Sequence, residues 1–94
     1  MQNQPLNAWT PEIAANIAQL NNIELTAQHW EVIHTLREIY NAHLVSPGMR
    51  ILIKELQRKY GAEKDSIYLH TLFPGDTVTT LYSIAGLPKP IRCI

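Results

Sequence analysis

The residue of this chain with the most evident chemistry is Cys93, its only cysteine, which stands second to last in the sequence. Chain ends fray, so this is a poor place for a packing cysteine, which is usually buried inside an element. It is a good place for a thiol that must reach the active site of a partner. A single cysteine also excludes an intramolecular disulfide and suits a reducing compartment. We therefore predict that Cys93 is the reactive residue.

Two basic residues flank this thiol along the chain. Lys89 and Arg92 would favour the thiolate, which is the nucleophilic form of cysteine. The terminal carboxylate of Ile94 opposes them, so the balance depends on where the last residues lie. We predict that Lys89 and Arg92 stabilise the sulfur anion or steer the chain end toward a partner.

A second group of cations recurs at helical spacing. Arg50, Lys54 and Arg58 are four residues apart, which places them on one face of a predicted helix. A sulfur anion resting there would be stabilised, and a helix N-terminus at Ser46-Pro47 would add partial positive charge. We predict Arg50 and Lys54 as anion-stabilising residues. The plain alternative is a solvated basic helix face.

Other chemistries find little support in the residue pattern. The four histidines lack the spacing of metal ligands, and there is no glycine-rich phosphate loop or nucleophile motif, so we expect no metal and no cofactor. The formal net charge is zero, which gives no overall electrostatic case for nucleic acid or membrane binding. We see no signal peptide and no apolar run long enough for a membrane span, so the expected compartment is the cytoplasm.

The remaining pattern predicts an all-α bundle of about five helices. Apolar residues recur at intervals of three and four, and polar caps, prolines and glycines divide the repeats. The predicted starts are at Thr10-Pro11, Thr26, Ser46-Pro47, Asp65 and Asp76, and the predicted ends are at Asn21-Asn22, Ser46-Pro47, Gly61, Leu72 and Gly86.

The eight residues after Gly86, Leu-Pro-Lys-Pro-Ile-Arg-Cys-Ile, cannot continue a helix because prolines interrupt them. We call residues 87–94 the C-terminal arm and predict that it is extended and mobile, with a reach of about 25 Å at roughly 3.1 Å per residue. The expected organisation is a single domain over residues 1–94. It comprises a loose lead-in (1–9), a helical core (10–86) and the arm.

Four blocks of this sequence resemble the DsrC/TusE family of sulfur-relay proteins. Residues 84–94 (IAGLPKPIRCI) look like the family's Gly-Leu-Pro-Lys-Pro-x-x-Cys-x terminus, with Cys93 at the hallmark position. Residues 28–33 (QHWEVI), 46–54 (SPGMRILIK) and 68–74 (YLHTLFP) are similar to three further family segments in the same order. The resemblance covers the chain from about residue 9 to its end.

This resemblance implies a small helical bundle with a helix-turn-helix-like core and a flexible arm. It implies that Cys93 accepts sulfur as a persulfide from a DsrE- or TusD-type subunit and passes it to an acceptor such as a tRNA 2-thiouridylase. The DsrC branch uses a second cysteine ten residues upstream, where this chain has Ser83. That difference argues for a single-cysteine relay. The hairpin that usually precedes the first helix is expected to be absent or vestigial.

Three alternatives stay open at this stage. The chain could be a single-cysteine carrier in sulfur oxidation. It could be a regulatory module that inserts a basic helix of a helix-turn-helix into DNA, although its zero net charge disfavours that role. It could also be a subunit whose cysteine is only structural.

Overall fold

The structure, a computed structural model, describes residues 9–89. Within that range the chain forms five α-helices and no strand, so the prediction of an all-α bundle is confirmed. The helices are α1 (Pro11–Leu20), α2 (Ala27–His43), α3 (Met49–Tyr60), α4 (Ser66–Leu72) and α5 (Thr77–Ala85). Two of the predicted site residues, Cys93 and Arg92, lie outside the described residues.

Side-chain caps begin three of these helices where the sequence predicts them. An N-cap oxygen accepts a hydrogen bond from a backbone N–H of the first turn, which would otherwise lack a partner. The pairs are Thr10 with Ile13 (3.2 Å), Asp65 with Tyr68 (2.9 Å) and Asp76 with Thr79 (3.2 Å).

The predicted start of α2 at Thr26 is confirmed, and it is fixed by a histidine, a role that the residue pattern does not predict. The Nδ1 atom of His29 accepts a hydrogen bond from the Thr26 N–H at 3.0 Å. Its Nε2 atom lies 2.8 Å from the carbonyl oxygen of Leu72. Because a carbonyl only accepts, Nε2 carries the proton and donates. One buried ring therefore joins the start of α2 to the end of α4, and it packs edge-on against Phe73.

The predicted start of α3 is wrong by two residues. The helix begins at Met49 with Gly48 as its N-cap, so Ser46 and Pro47 precede it in the loop after α2. Ser-Pro is a common helix-start signal, but here both residues are buried, and the Ser46 hydroxyl bonds to Pro88 instead. The positive end of the α3 dipole is therefore not at Ser46-Pro47.

The core forms around α2, which packs against both α3 and α5, while α1 packs against α5. Large apolar side chains from α2 to α5 fill it and are almost fully buried; they include Ile33, Leu36, Leu52, Leu56, Leu69, Phe73, Leu81 and Ile84. Trp9 and Trp30 pack against this cluster. The last helix is thus held from two sides, which fixes the point where the arm begins. Among residues 9–89, no helix combines the length and apolarity needed to cross a membrane.

Candidate functional site at the base of the C-terminal arm

The helical core ends in a tight turn at Gly86. Gly86 has a left-handed backbone with φ of 73°, and its N–H donates to Ser83 O at 3.1 Å. The next N–H, of Leu87, reaches back to Tyr82 O at 3.0 Å. This pair of bonds is the Schellman motif, which glycine favours because it has no Cβ. The predicted end of α5 at Gly86 is confirmed, and the buried Leu87 side chain seals the turn.

Two side chains from distant parts of the chain bind the remaining carbonyls of α5. Trp9 donates its indole Nε1–H to Ile84 O at 2.8 Å. Arg37 of α2 donates from Nη1 to Ala85 O at 2.5 Å. Together with the turn at Gly86, these bonds give each of the last four carbonyls of α5 a donor. Helix ends normally leave such carbonyls to water, so this terminus is unusually well fixed.

Arg37 and Trp9 also contact each other. The guanidinium carbon lies 4.1 Å from the centroid of the indole ring, which is a cation–π contact. Burial lowers the pKa of Arg37 from its ordinary value, yet a guanidinium stays charged at neutral pH. Its positive charge faces the negative end of the α5 dipole, where a cation is favoured. The cation–π contact between Arg37 and Trp9 therefore helps to stabilise the C-terminus of α5, to which both side chains donate hydrogen bonds.

The loop between α2 and α3 holds the arm at its first residues. The Ser46 hydroxyl donates to the carbonyl oxygen of Pro88 at 2.5 Å. The next residue, Pro47, offers its own carbonyl to the hydroxyl of Tyr82. Tyr82 is buried, and this burial raises its pKa to about 12, so it stays a neutral donor at physiological pH. Ser46 and Pro47, which belong to one of the sequence blocks similar to the family, thus bind the base of the arm and the end of α5.

Lys89 lies beside the first turn of α5. Its Nζ atom is 3.4 Å from the Thr79 hydroxyl, which itself donates to Asp76 at 2.8 Å. The bonds from Thr79, and after them the charge of Lys89, hold the pKa of Asp76 below its ordinary value. The side chain of Lys89 therefore points back along the last helix and contacts Thr79, the residue that binds the cap Asp76.

The predicted basic stripe on α3 is present, but only part of it is unpaired. Arg50 and Lys54 are exposed, and within residues 9–89 neither lies in an ion pair. Arg58 instead binds Glu55 through two bonds, of 3.0 and 2.5 Å. This pairing lowers the pKa of Glu55. The structure therefore brings Arg50 and Lys54 together on α3, whereas Lys89 follows α5 in the arm and contacts Thr79 of that helix.

Ser83 is an exposed residue of α5, three positions before the turn at Gly86. It stands where the resemblance puts the second cysteine of the DsrC branch. Among residues 9–89, no cluster of three or more His, Cys, Asp or Glu side chains could hold a metal ion. The described part of the chain supplies a firmly anchored arm base and, on α3, two exposed cations that lie in no ion pair among residues 9–89.

These features define a class of protein: a small all-α bundle that anchors the base of a short C-terminal segment with side chains from several elements. A family model described as "DsrC like protein" matches residues 3–94 of this chain. The chain belongs to this DsrC-like family.

Relatives with curated names fall in the same group. The chain is 46% identical over 87 residues to Sulfurtransferase TusE of Salmonella choleraesuis. The matched region covers 92% of this chain and 80% of that protein. It is 45% identical over 87 residues to the Sulfurtransferase TusE homolog of Haemophilus influenzae, with the same coverage.

Solved structures agree with this assignment. The NMR structure of Allochromatium vinosum DsrC is similar with a TM-score of 0.82 and 41% identity, covering 95% of this chain and 80% of that one. The crystal structure of the oxidized gamma-subunit of the dissimilatory sulfite reductase (DsrC) from Archaeoglobus fulgidus has a TM-score of 0.78 and 32% identity. It covers 97% of this chain and 84% of that one.

Proposed function

We propose that this protein is a single-cysteine sulfur carrier that holds sulfur as a persulfide on Cys93. The observation that carries the proposal is the anchored arm base. Side chains from the start of the described chain, from α2 and from the α2–α3 loop bind residues 84–88. Cys93 follows five positions after Pro88, close enough to the anchor for a defined reach. The similarity to proteins named as sulfurtransferases supports the same role.

The transfer needs only one ionised thiol on this chain. The Cys93 thiolate attacks the outer sulfur of a donor persulfide, R–S–SH. A new S–S bond forms on Cys93 as the donor S–S bond breaks, and the donor leaves as a thiolate. Cys93 then carries S–SH, and an acceptor thiolate removes the outer sulfur by the same exchange. No external oxidant or reductant is consumed.

The cations of the chain serve this chemistry by charge. In the proposal Arg50 and Lys54 stabilise the anionic sulfur when the arm lies against α3, since both are exposed and without an ion pair among residues 9–89. Lys89 and Arg92 flank the thiol in the sequence and steer it toward a partner. The protein is then a sulfurtransferase in the sense of a carrier, and the acceptor performs the later chemistry.

The proposed setting is a tRNA 2-thiouridine relay in the cytoplasm. The donor would be a DsrE- or TusD-type subunit and the acceptor a tRNA thiolase. The relatives named TusE support this branch, as does Ser83. A single cysteine cannot form the internal disulfide that a second cysteine at that position would allow.

A complementation experiment tests the relay. The chain is expressed in a bacterium whose own TusE gene is deleted, and 2-thiouridine derivatives are quantified in digested tRNA by mass spectrometry. We expect the natural chain and a Ser83→Ala control to restore them and Cys93→Ser to restore none. Restoration by Cys93→Ser would refute the proposal that the thiol of Cys93 carries the sulfur. No restoration by the natural chain, although it loads sulfur in vitro, would refute the tRNA relay alone.

A second candidate function comes from the structural neighbours. The Archaeoglobus protein is named as a subunit of dissimilatory sulfite reductase, and its fold is similar to that of this chain. A single-cysteine carrier in sulfur oxidation would share that fold. It would load sulfur on Cys93 in the same way but would leave the tRNA of the deletion strain unmodified, so the same experiment separates the two settings.

A further inference from the structure

We propose that Ser46 is a positioning residue that fixes the direction in which the Cys93-bearing arm leaves the helical core. The inference deepens the proposed function, since a carrier thiol acts only where its arm can place it. It rests on the hydrogen bond between Ser46 and Pro88, which contributes little to the stability of the fold. Pro88 is exposed, so water could satisfy its carbonyl if Ser46 did not.

The geometry of Pro88 makes this single bond effective. The proline ring holds φ near −65°, so only ψ of Pro88 is free to turn. The value of ψ sets the direction of the carbonyl, and the Ser46 hydroxyl holds that carbonyl at 2.5 Å. One bond therefore fixes the last free dihedral of Pro88. The next residue, Lys89, precedes a proline, which restricts its own backbone to extended values.

Ser46 is itself held firmly enough to act as a reference point. Its side chain is buried, and the adjacent Pro47 carbonyl accepts the hydroxyl of the buried Tyr82 on α5. On the arm side, Leu87 is buried and its N–H is bound to Tyr82 O. The loop and the helix end are thus tied to each other through Tyr82. The Ser46 bond extends this anchoring beyond Leu87 to the backbone of Pro88, and the side chain of Lys89 adds a longer contact with Thr79.

Loss of the Ser46 hydroxyl should change the arm and not the core. Cys93 lies five positions beyond Pro88, so it stays within about 18 Å of that residue in any conformation. When ψ of Pro88 is free to rotate, Cys93 keeps the same maximum distance from Pro88 but can lie in more directions from it. The thiol keeps its reactivity toward a small molecule, but its effective concentration at any one fixed point falls.

The lone cysteine makes a direct measurement available. A nitroxide label on Cys93 in an otherwise natural chain enhances the relaxation of nearby backbone amides, which NMR maps over residues 9–89. We compare the natural chain with Ser46→Ala, with Ser46→Thr, which keeps the hydroxyl, and with Ser66→Ala as a matched control. Ser66 is an exposed serine at the start of α4.

We expect the natural chain, Ser46→Thr and Ser66→Ala to show strong enhancements on one limited set of amides. In Ser46→Ala the strongest enhancements should fall by about twofold or more, and weaker ones should appear on further amides. The melting temperatures of the four proteins show whether any substitution destabilises the helical core. An unchanged pattern in Ser46→Ala would overturn the inference.

A second readout separates this inference from the proposed function. Loading of Cys93 by glutathione persulfide is followed by intact mass in the same four proteins. We expect equal rates, because the thiol and not its direction governs reaction with a small donor. A natural chain that takes up no sulfur would refute the proposed function, whereas the relaxation pattern would still decide the role of Ser46. A large rate change in Ser46→Ala alone would show that Ser46 acts on the thiol itself and would overturn the positioning role.

Discussion

The indole ring of Trp9 lies so close to Gly86 that a Cβ at that glycine would collide with the ring. The two residues stand at opposite ends of the described chain, and the same indole donates a hydrogen bond to Ile84 O. Glycine is therefore required at position 86 for two reasons: the backbone there is left-handed, and a side chain would collide with Trp9. The contact joins the lead-in to the base of the arm.

Gly86→Ala should accordingly destabilise the protein more than an alanine at a glycine that shares only the backbone requirement. Gly75 provides that control, since its φ is 81° and a Cβ at that position would meet no atom within 4 Å. We expect a loss of about 1 kcal/mol for Gly75→Ala from left-handed strain. The collision with Trp9 should add roughly 1–3 kcal/mol for Gly86→Ala. Urea unfolding measures both, and equal losses would contradict the packing argument.

Tyr82→Phe should change how stability depends on pH. Burial raises the pKa of Tyr82 to about 12, whereas an unfolded tyrosine titrates near 10. The folded state thus favours the neutral phenol. Its contribution is complete below about pH 10 and is lost as the pH rises through about 12. Below pH 10 the variant should be less stable by about 1 kcal/mol, because Pro47 O loses its donor.

The difference between the natural chain and Tyr82→Phe should therefore narrow above pH 10. Urea unfolding at pH 8, 10 and 11 gives the free energies. Tyr60→Phe serves as the control, since Tyr60 is more than a third exposed. A difference that stays constant from pH 8 to pH 11 would show that Tyr82 does not titrate with folding.

Removal of the charges of Arg50 and Lys54 on α3 should make Cys93 less reactive at neutral pH. If these cations stabilise the thiolate, the double variant Arg50→Gln/Lys54→Gln should shift the midpoint of iodoacetamide alkylation to higher pH by a few tenths of a unit. The shift should shrink as salt is added, since exposed charges are screened. Alkylation rates over pH 6–10 measure it.

The same helix offers a matched control for that prediction. Glu55 and Arg58 bind each other, so Glu55→Gln/Arg58→Gln removes two charges without a change in net charge. This variant should keep the natural midpoint. A similar shift in both double variants would mean that α3 affects the thiol through its structure and not through positive charge.

Much of the helical architecture could be predicted because its signals are local. Thr10, Asp65 and Asp76 cap helices from within three residues, and Gly86 ends α5 through its own backbone. The role of His29 could not be predicted in this way, because a capping box normally has Glu or Gln at that position and here an imidazole takes its place.

The anchor of the arm could not be predicted because its bonds cross long stretches of chain. Trp9 and Ile84 are 75 residues apart, and Arg37 and Ala85 are 48 apart. The sequence predicts Ser46 as a helix cap because Ser-Pro is a local start signal, whereas its actual partner, Pro88, is 42 residues away. The importance of Cys93 was predicted from its residue type and position alone, and its role stays a prediction.

The most direct test of the account is the intact mass of the chain after incubation with glutathione persulfide and removal of excess donor. The natural chain should gain about 32 Da, the mass of one sulfur atom, and should lose it again on addition of a thiol reductant. Cys93→Ser should gain nothing, and Ser83→Ala should behave as the natural chain. A natural chain that gains no mass, or a Cys93→Ser variant that gains the same mass, would contradict the account.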